Sequence, residues 1–348
     1  MEPVSGKVLM ITPYTTVQRG NSLTTARLQR FLTARGFHVD RFSIESADWP
    51  QRLQRALSHT QYNLIHGFHA LHFGRVLTEA PLVQELPIIL TTTGTDIHYD
   101  LQGPQKELVQ KSMRAAQKIV VFNDDFCSNI QSRYPEYKDK LVTIPQGVFL
   151  EPGAAKTRSK IGLGPKDFVF LLPSGLRPVK NIGLAIEAIR EVHHDHPEVR
   201  LLIMGAVIDE DYARPLLTCM QELDWIIYLG EVPHIEMGSL LALGDVVLNT
   251  SDSEGQPQAA LEAMSLGKPC ILTAVPGNLD LIANGCEGFY VQDQNDLVAA
   301  ANILLTNPII RHNMGQNASR LVQAKFSLEQ EVNAYSCLYQ MAIGQAED

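Results

Sequence analysis

The residue types best suited to chemistry sit in one stretch, VVLNTSDSEGQPQAALEAMSLGKPCILT, residues 246–273. A strand at 246–250 runs into a polar loop with Glu254 and Gly255 at its tip, Pro257 marks the first turn of a helix, and Glu262 lies on that helix. Proline is preorganised for a helix start. The free amides there, around Gly255, Gln256 and Gln258, form a ready site for an anion such as a diphosphate. A carboxylate accepts hydrogen bonds from two vicinal hydroxyls, as in a sugar or a ribose. The plain alternative is equally open: Glu254 complementing the helix dipole and Glu262 as a surface residue. A second stretch, FVFLLPSGLRPVKNIGLAI (168–186), delivers Gly175, Arg177 and Lys180 to a loop ahead of a helix. Arg and Lys are the expected clamps for a leaving diphosphate, although two surface cations in one loop are also common.

The elements that must position these loops alternate from end to end. Strands are expected at 7–12, 38–44, 62–68, 87–92, 118–122 and 141–144, with helices at 23–35, 51–58 and 104–117 between them. After a Gly-, Pro- and charge-rich segment near 150–166 the alternation restarts, with strands at 168–172, 199–204, 226–229, 246–250 and 269–273. Such alternation predicts parallel sheets wrapped by helices. The expected architecture is α/β, with two doubly wound, Rossmann-like domains at 1–150 and 151–327. Ser327 and Gln330 form a capping-box pattern opening a final helix, 328–345. Ligands of open α/β sheets sit beyond the carboxyl ends of the strands.

The run E-G-x6-E followed by AMSLGKP resembles the E-x7-E motif of retaining, GT-B-fold glycosyltransferases of family 4, which carry a glycosyltransferase group 1 domain. The resemblance implies that Glu254 contacts a donor sugar and Glu262 the ribose hydroxyls of a nucleotide sugar, UDP-sugar being the expected donor. It implies two domains facing across a cleft, and a final helix that crosses back to the front domain. Lys180 matches the Lys of the family pattern G-R-L-x3-K-G, while Arg177 lies closer to it than the family Arg does. IIYLGEVPH (226–234), with Gly230 and Glu231, resembles the segment whose backbone reads the base. Gly277-Asn278 and Gly205 resemble family loop positions near the donor, and Gly20-Asn21, ahead of the first helix, a loop facing the donor phosphates and acceptor. GTDIH (94–98) resembles H-G-x-D with Thr93 at the histidine position, leaving Asp96 and His98 as acceptor-side candidates beside His69. The combination of Gly20, Asn21, Thr24 and Arg27 with GLRPVK and PGN resembles a small subgroup of glycosyltransferase 1 domain-containing proteins and selenosugar synthases. That subgroup implies a small anionic acceptor and makes Arg27 a candidate contact. The mechanism implied is transfer with retention, with Arg177, Lys180 and helix-start amides on the departing diphosphate and no metal. The alternative is a nucleotide-sugar sensor that binds without transferring.

Composition narrows the remaining classes. A chain of 348 residues that is 45% hydrophobic has material for two cores. Residues 1–150 hold 16 Lys+Arg against 13 Asp+Glu (+3), so the rest holds 13 against 25 (−12), a balance that disfavours nucleic acid and allows at most peripheral membrane contact. Five cysteines with no C-x-x-C pair point away from disulfides and zinc and toward a reducing, cytoplasmic setting. The acidic start before a short apolar run lacks the layout of a signal peptide. No G-x-G-x-x-G follows a strand, which disfavours a nicotinamide enzyme. His66, His69 and His72 invite a metal reading, but their spacing puts alternate residues on opposite strand faces with no acid beside them. Asp209 and Asp211 form a D-x-D that opens a predicted helix, where acids suit the dipole.

Overall fold

A computed structural model describes residues 6–15 and 20–344. The chain divides into two compact units, one of residues 1–147 with 328–348 and one of Val148–Ser327.

In unit 1 the order is β1 (Lys7–Thr12), α1 (Gly20–Thr33), β2 (His38–Ser43), α2 (Trp49–His59), β3 (Leu64–Phe68), α3 (Ala70–Glu79), β4 (Ile88–Thr91), α4 (Thr95–His98), α5 (Lys106–Ala115), β5 (Lys118–Val121), α6 (Asp124–Arg133) and β6 (Leu141–Thr143). Every strand pair is parallel, in the order β2-β1-β3-β4-β5-β6. Runs such as LIHGF are buried along their whole length because helices cover both faces of the sheet. One face holds Leu53, Phe73, Val76 and Met113, the other Leu28, Leu32, Leu338 and Tyr339.

Unit 2 contains β7 (Phe168–Pro173), α7 (Ile182–Asp195), β8 (Val199–Met204), α8 (Glu210–Glu222), β9 (Ile226–Tyr228), α9 (His234–Leu241), β10 (Val246–Asn249), α10 (Gln258–Ser265), β11 (Cys270–Thr273), β12 (Gly288–Val291), α11 (Gln294–Thr306) and α12 (Pro308–Lys325). The last helix, α13 (Leu328–Gly344), belongs to unit 1. The sheet order is β12-β11-β10-β7-β8-β9, again parallel throughout.

The expected α/β architecture of two doubly wound sheets is what the structure has. Two details differ. The sequence reading stops at the strand of 269–273, but GFYV adds β12 as an edge strand, paired residue for residue with β11. Helix α1 already includes Gly20 and Asn21, which lie within it and do not precede it.

Candidate functional site

Strand order fixes where the site of unit 2 must be. β7 has β8 on one side and β10 on the other, so the loops after β7 and β10 leave in opposite directions and open a crevice at their carboxyl ends. These two loops carry Arg177 and Lys180, and Glu254 and Gly255. They are stitched together: Asp252 N donates to Val179 O (2.9 Å), Thr250 Oγ1 to Lys180 O (3.1 Å), and Asn181 Nδ2 to Asp252 Oδ1 (3.1 Å).

At their meeting point Lys180 Nζ lies 2.5 Å from Glu254 Oε1, and the same oxygen accepts from Asn249 Nδ2 (2.8 Å) and Ser251 Oγ (2.7 Å). Burial pushes the Glu254 carboxyl up, but the Lys180 ammonium and these hydrogen bonds outweigh it and hold the group below its ordinary value. The structure therefore brings these two charges together as a pair, with Lys180 already neutralised by Glu254. Arg177 precedes the turn Pro178–Lys180, and its Nε is buried without a hydrogen-bond partner.

The turn 276–278 backs the loop. Glu254 N donates to Pro276 O (3.0 Å), and Gly277 has φ +87°, with the Glu254 carbonyl where a Cβ would stand. No other residue fits that approach. Asn278 is fully buried and donates Nδ2 to Thr273 O (3.0 Å) and Asn249 Oδ1 (3.1 Å), completing a relay from Asn278 through Asn249 to Glu254. Gln256 Nε2 donates to Gln258 Oε1 (3.2 Å) just before and at the first residue of α10. On the other flank, Gly205 N donates to Gly230 O (2.8 Å), and a Cβ on Gly205 would collide with the Ser174 carbonyl. A Cβ on Gly175 would press on the flexible end of Ile208 and touch the Ala206 carbonyl, and Glu231 is exposed.

Glu262 is buried on α10, and its Oε1 accepts from His234 Nε2 at 3.0 Å. In the sequence His234 is only the last residue of the run IIYLGEVPH, with nothing to mark a role. A lone histidine at the first position of a helix carries no spacing signal; only the burial of Glu262 exposes the need for a partner.

In unit 1, β1 lies between β2 and β3, so the loops after β1 and β3 mark its switch point. His69 follows β3 with φ +67°, uncommon for a non-glycine residue. Its Nε2 shares a hydrogen bond with Thr95 Oγ1 (3.2 Å), and its Nδ1 is buried without a partner, as is Nε2 of His98. The His69 and His72 rings are 4.6 Å apart. Burial, then the nearby His69 and Arg75, drive His72 down to about 4, and burial lowers His98, so both imidazoles are neutral near pH 7. Asp96 is fully buried and holds amides: Ala70 N at 2.8 Å, Thr93 N at 3.0 Å and Gly94 N at 2.9 Å. This shapes the loop and leaves the carboxylate satisfied.

Arg27 forks onto Glu331 of α13, Nε to Oε2 at 3.0 Å and an Nη to Oε1 at 2.9 Å, with 9% of its side chain exposed. The acid that claims it lies 304 residues away in the chain, out of reach of a local motif. His66 is likewise structural, bonded to Tyr339 and Thr91. Asp209 caps α8, accepting from Tyr212 N at 3.0 Å. Among the described residues no cluster of three His, Cys, Asp or Glu side chains has metal-ligand geometry, and no helix is long and apolar enough to cross a membrane.

Comparison with known proteins adds to this geometry. Residues 154–321 match the family of glycosyl transferases group 1. The chain is 26% identical over 330 residues to glycosyltransferase 1 domain-containing protein 1 of Xenopus tropicalis, covering 92% of this chain and 93% of that one. It is 23% identical over 299 residues to N-acetyl-alpha-D-glucosaminyl L-malate synthase of Bacillus anthracis, covering 84% and 76%. Among solved structures, Anabaena Alr3699/HepE in complex with UDP and glucose superposes with TM-score 0.78 at 17% identity, covering 95% of this chain and 98% of that one. Sucrose-phosphate synthase of Thermosynechococcus elongatus superposes at 0.84 and 19%, covering 98% and 100%.

Proposed function

We propose, for a GT-B-fold glycosyltransferase whose residues 154–321 belong to the glycosyl transferases group 1 family, that the donor is a UDP-sugar and the sugar is passed with retention to a small anionic acceptor. The observation that carries the donor site is the Lys180–Glu254 pair joining the two loops of the unit 2 switch point. UDP is favoured as carrier by the fold's likeness to Alr3699/HepE, solved with UDP and glucose. An anionic acceptor is favoured by the name of the B. anthracis relative, an N-acetyl-alpha-D-glucosaminyl L-malate synthase.

The chemistry asked of the side chains is electrostatic. The bond from the anomeric carbon to the diphosphate breaks while the acceptor oxygen bonds to the same face, and the acceptor proton passes to an oxygen of the leaving phosphate. Negative charge grows on that diphosphate, so Lys180, Arg177 and the amides opening α10 stabilise the transition state more than the ground state. A donor drawing Lys180 Nζ toward its phosphates leaves the Glu254 carboxylate to accept from sugar hydroxyls, one pair serving both halves of the donor. No protein nucleophile and no metal enters. On the acceptor side, the neutral His72 and His98 offer hydrogen bonds rather than charge, and His69 stands beside them.

Incubating the protein with a panel of UDP-sugars and small carboxylic-acid acceptors, and assigning the anomeric configuration of the product by NMR, tests the proposal. An α-linked product from an α-donor is expected. A β-linked product removes retention. Nucleotide binding with no turnover on any acceptor leaves the sensor reading, which Thr93 at the family's histidine position favours.

A further inference from the structure

We infer that His234 is the positioning residue for the nucleotide ribose: it holds the Glu262 carboxylate by one oxygen and leaves the other for a ribose hydroxyl. The inference rests on the donor-site reading above and deepens it. Glu262 sits on α10 with 6% of its side chain exposed, and a buried carboxylate needs a donor to remain charged. Among the described residues its side chain has one partner, His234, at 3.0 Å. A carboxylate has no proton to give, so the imidazole Nε2 carries the hydrogen and donates it to Oε1. Oε2 has no side-chain or backbone partner among the described residues.

The local fold gives this contact its geometry. Strand β9 ends at Tyr228, whose hydroxyl donates to Gly205 O (2.8 Å), while Gly205 N donates to Gly230 O (2.8 Å). Gly230 turns the chain at φ +67°, Pro233 caps α9, and His234 is its first residue, so the imidazole projects from a backbone pinned at both ends of the turn. The residue type matters as well as its place. An Arg here would fork onto both carboxylate oxygens and occupy the face a diol must use. A Lys would bring a flexible point charge without fixing the carboxylate plane. Histidine donates one directed hydrogen bond and spares one oxygen.

The test is calorimetric binding of UDP and of 2′,3′-dideoxy-UDP to the wild-type chain and to His234→Ala, His234→Gln and Glu262→Gln. The wild type is expected to prefer UDP by about tenfold or more, the worth of a hydrogen bond to a charged group. Glu262→Gln is expected to bring that preference below about threefold. His234→Ala is expected to do the same while leaving affinity for the dideoxy nucleotide within about twofold, and His234→Gln, which keeps an N–H donor, to restore part of the preference. A wild-type preference retained in His234→Ala overturns the assignment. So does equal weakening of both nucleotides, which marks a residue that only supports the loop. A preference that is absent in the wild type, or survives Glu262→Gln, overturns the ribose role of Glu262 and His234 with it.

Discussion

At the scale of single residues, Lys180 and Glu254 are each other's partner and, by the proposed reading, the donor's. Lys180→Ala should lower kcat about a hundredfold while the donor KM moves much less, because a cation aimed at the leaving diphosphate acts mainly in the transition state. The same substitution strands a buried carboxylate and should also cost stability, on the order of a few kcal/mol, read from denaturant midpoints. Lys180→Ala with Glu254→Gln separates the two effects: the amide tolerates burial, so stability should return while kcat stays low. A double variant that recovers turnover would show that the Lys serves only the fold. Glu254, Lys180 and Arg177 could be singled out because loops after predicted strands are where an open α/β sheet places its ligand, and Glu262 by its spacing from Glu254. His234, Asn249 and the capture of Arg27 by Glu331 were not, because each depends on a partner that tertiary folding alone brings within hydrogen-bond range.

At the scale of elements, α13 shows how a polar network fixes one helix on one sheet. His66 Nδ1 and the Tyr339 hydroxyl share a hydrogen bond at 2.6 Å, His66 Nε2 reaches Thr91 Oγ1 at 2.7 Å, and Thr91 reaches the Tyr335 hydroxyl at 3.0 Å. Tyr339→Phe leaves His66 Nδ1 buried and unpartnered, and should lower the stability of unit 1 by about 1–3 kcal/mol in denaturant titration. Burial also drives His66 down from 6.5 to about 3. Between those values the unfolded chain takes a proton that the folded one refuses, so stability rises with pH across the window and is lost as pH falls through it. His66→Gln should flatten that dependence between pH 6 and 4, where His72 keeps a share; an unchanged slope would show that His66 does not titrate as its burial requires. Alternating sequence runs announced the parallel sheets, while β12 escaped because four residues, GFYV, that open on a glycine give too short a pattern to separate from loop. Its partner strand β11 supplies the definition the local sequence lacks.

At the scale of the molecule, each unit is a six-stranded parallel sheet with a switch point, wired in a different strand order, and the two differ in what they offer there: imidazoles in unit 1, a cation–carboxylate pair with helix amides in unit 2. Both sheets were legible, since near-continuous aliphatic strands between helical patterns leave a doubly wound sheet as the arrangement that buries them. The donor reading then predicts how the whole chain responds to nucleotide. A ligand that binds only the folded state stabilises it by RT ln(1 + [L]/Kd), about 2.7 kcal/mol at a hundredfold excess over Kd, so UDP should raise the melting temperature in a concentration-dependent way. Three comparisons locate the effect. Glu262→Ala should shrink the UDP shift at a fixed nucleotide concentration, because its affinity should fall about tenfold to a hundredfold. Glu331→Gln should lower the starting melting temperature by loosening the Arg27 pair in unit 1, yet leave the UDP increment intact, since the nucleotide contacts are proposed in unit 2. A strong chelator should change neither the increment nor turnover, because Lys180, Arg177 and backbone amides carry the charge that a cation would otherwise balance. Loss of both in EDTA, with recovery on adding magnesium or manganese, would replace the Lys180 clamp with a bound ion and reopen Asp209 and Asp211 as its holders.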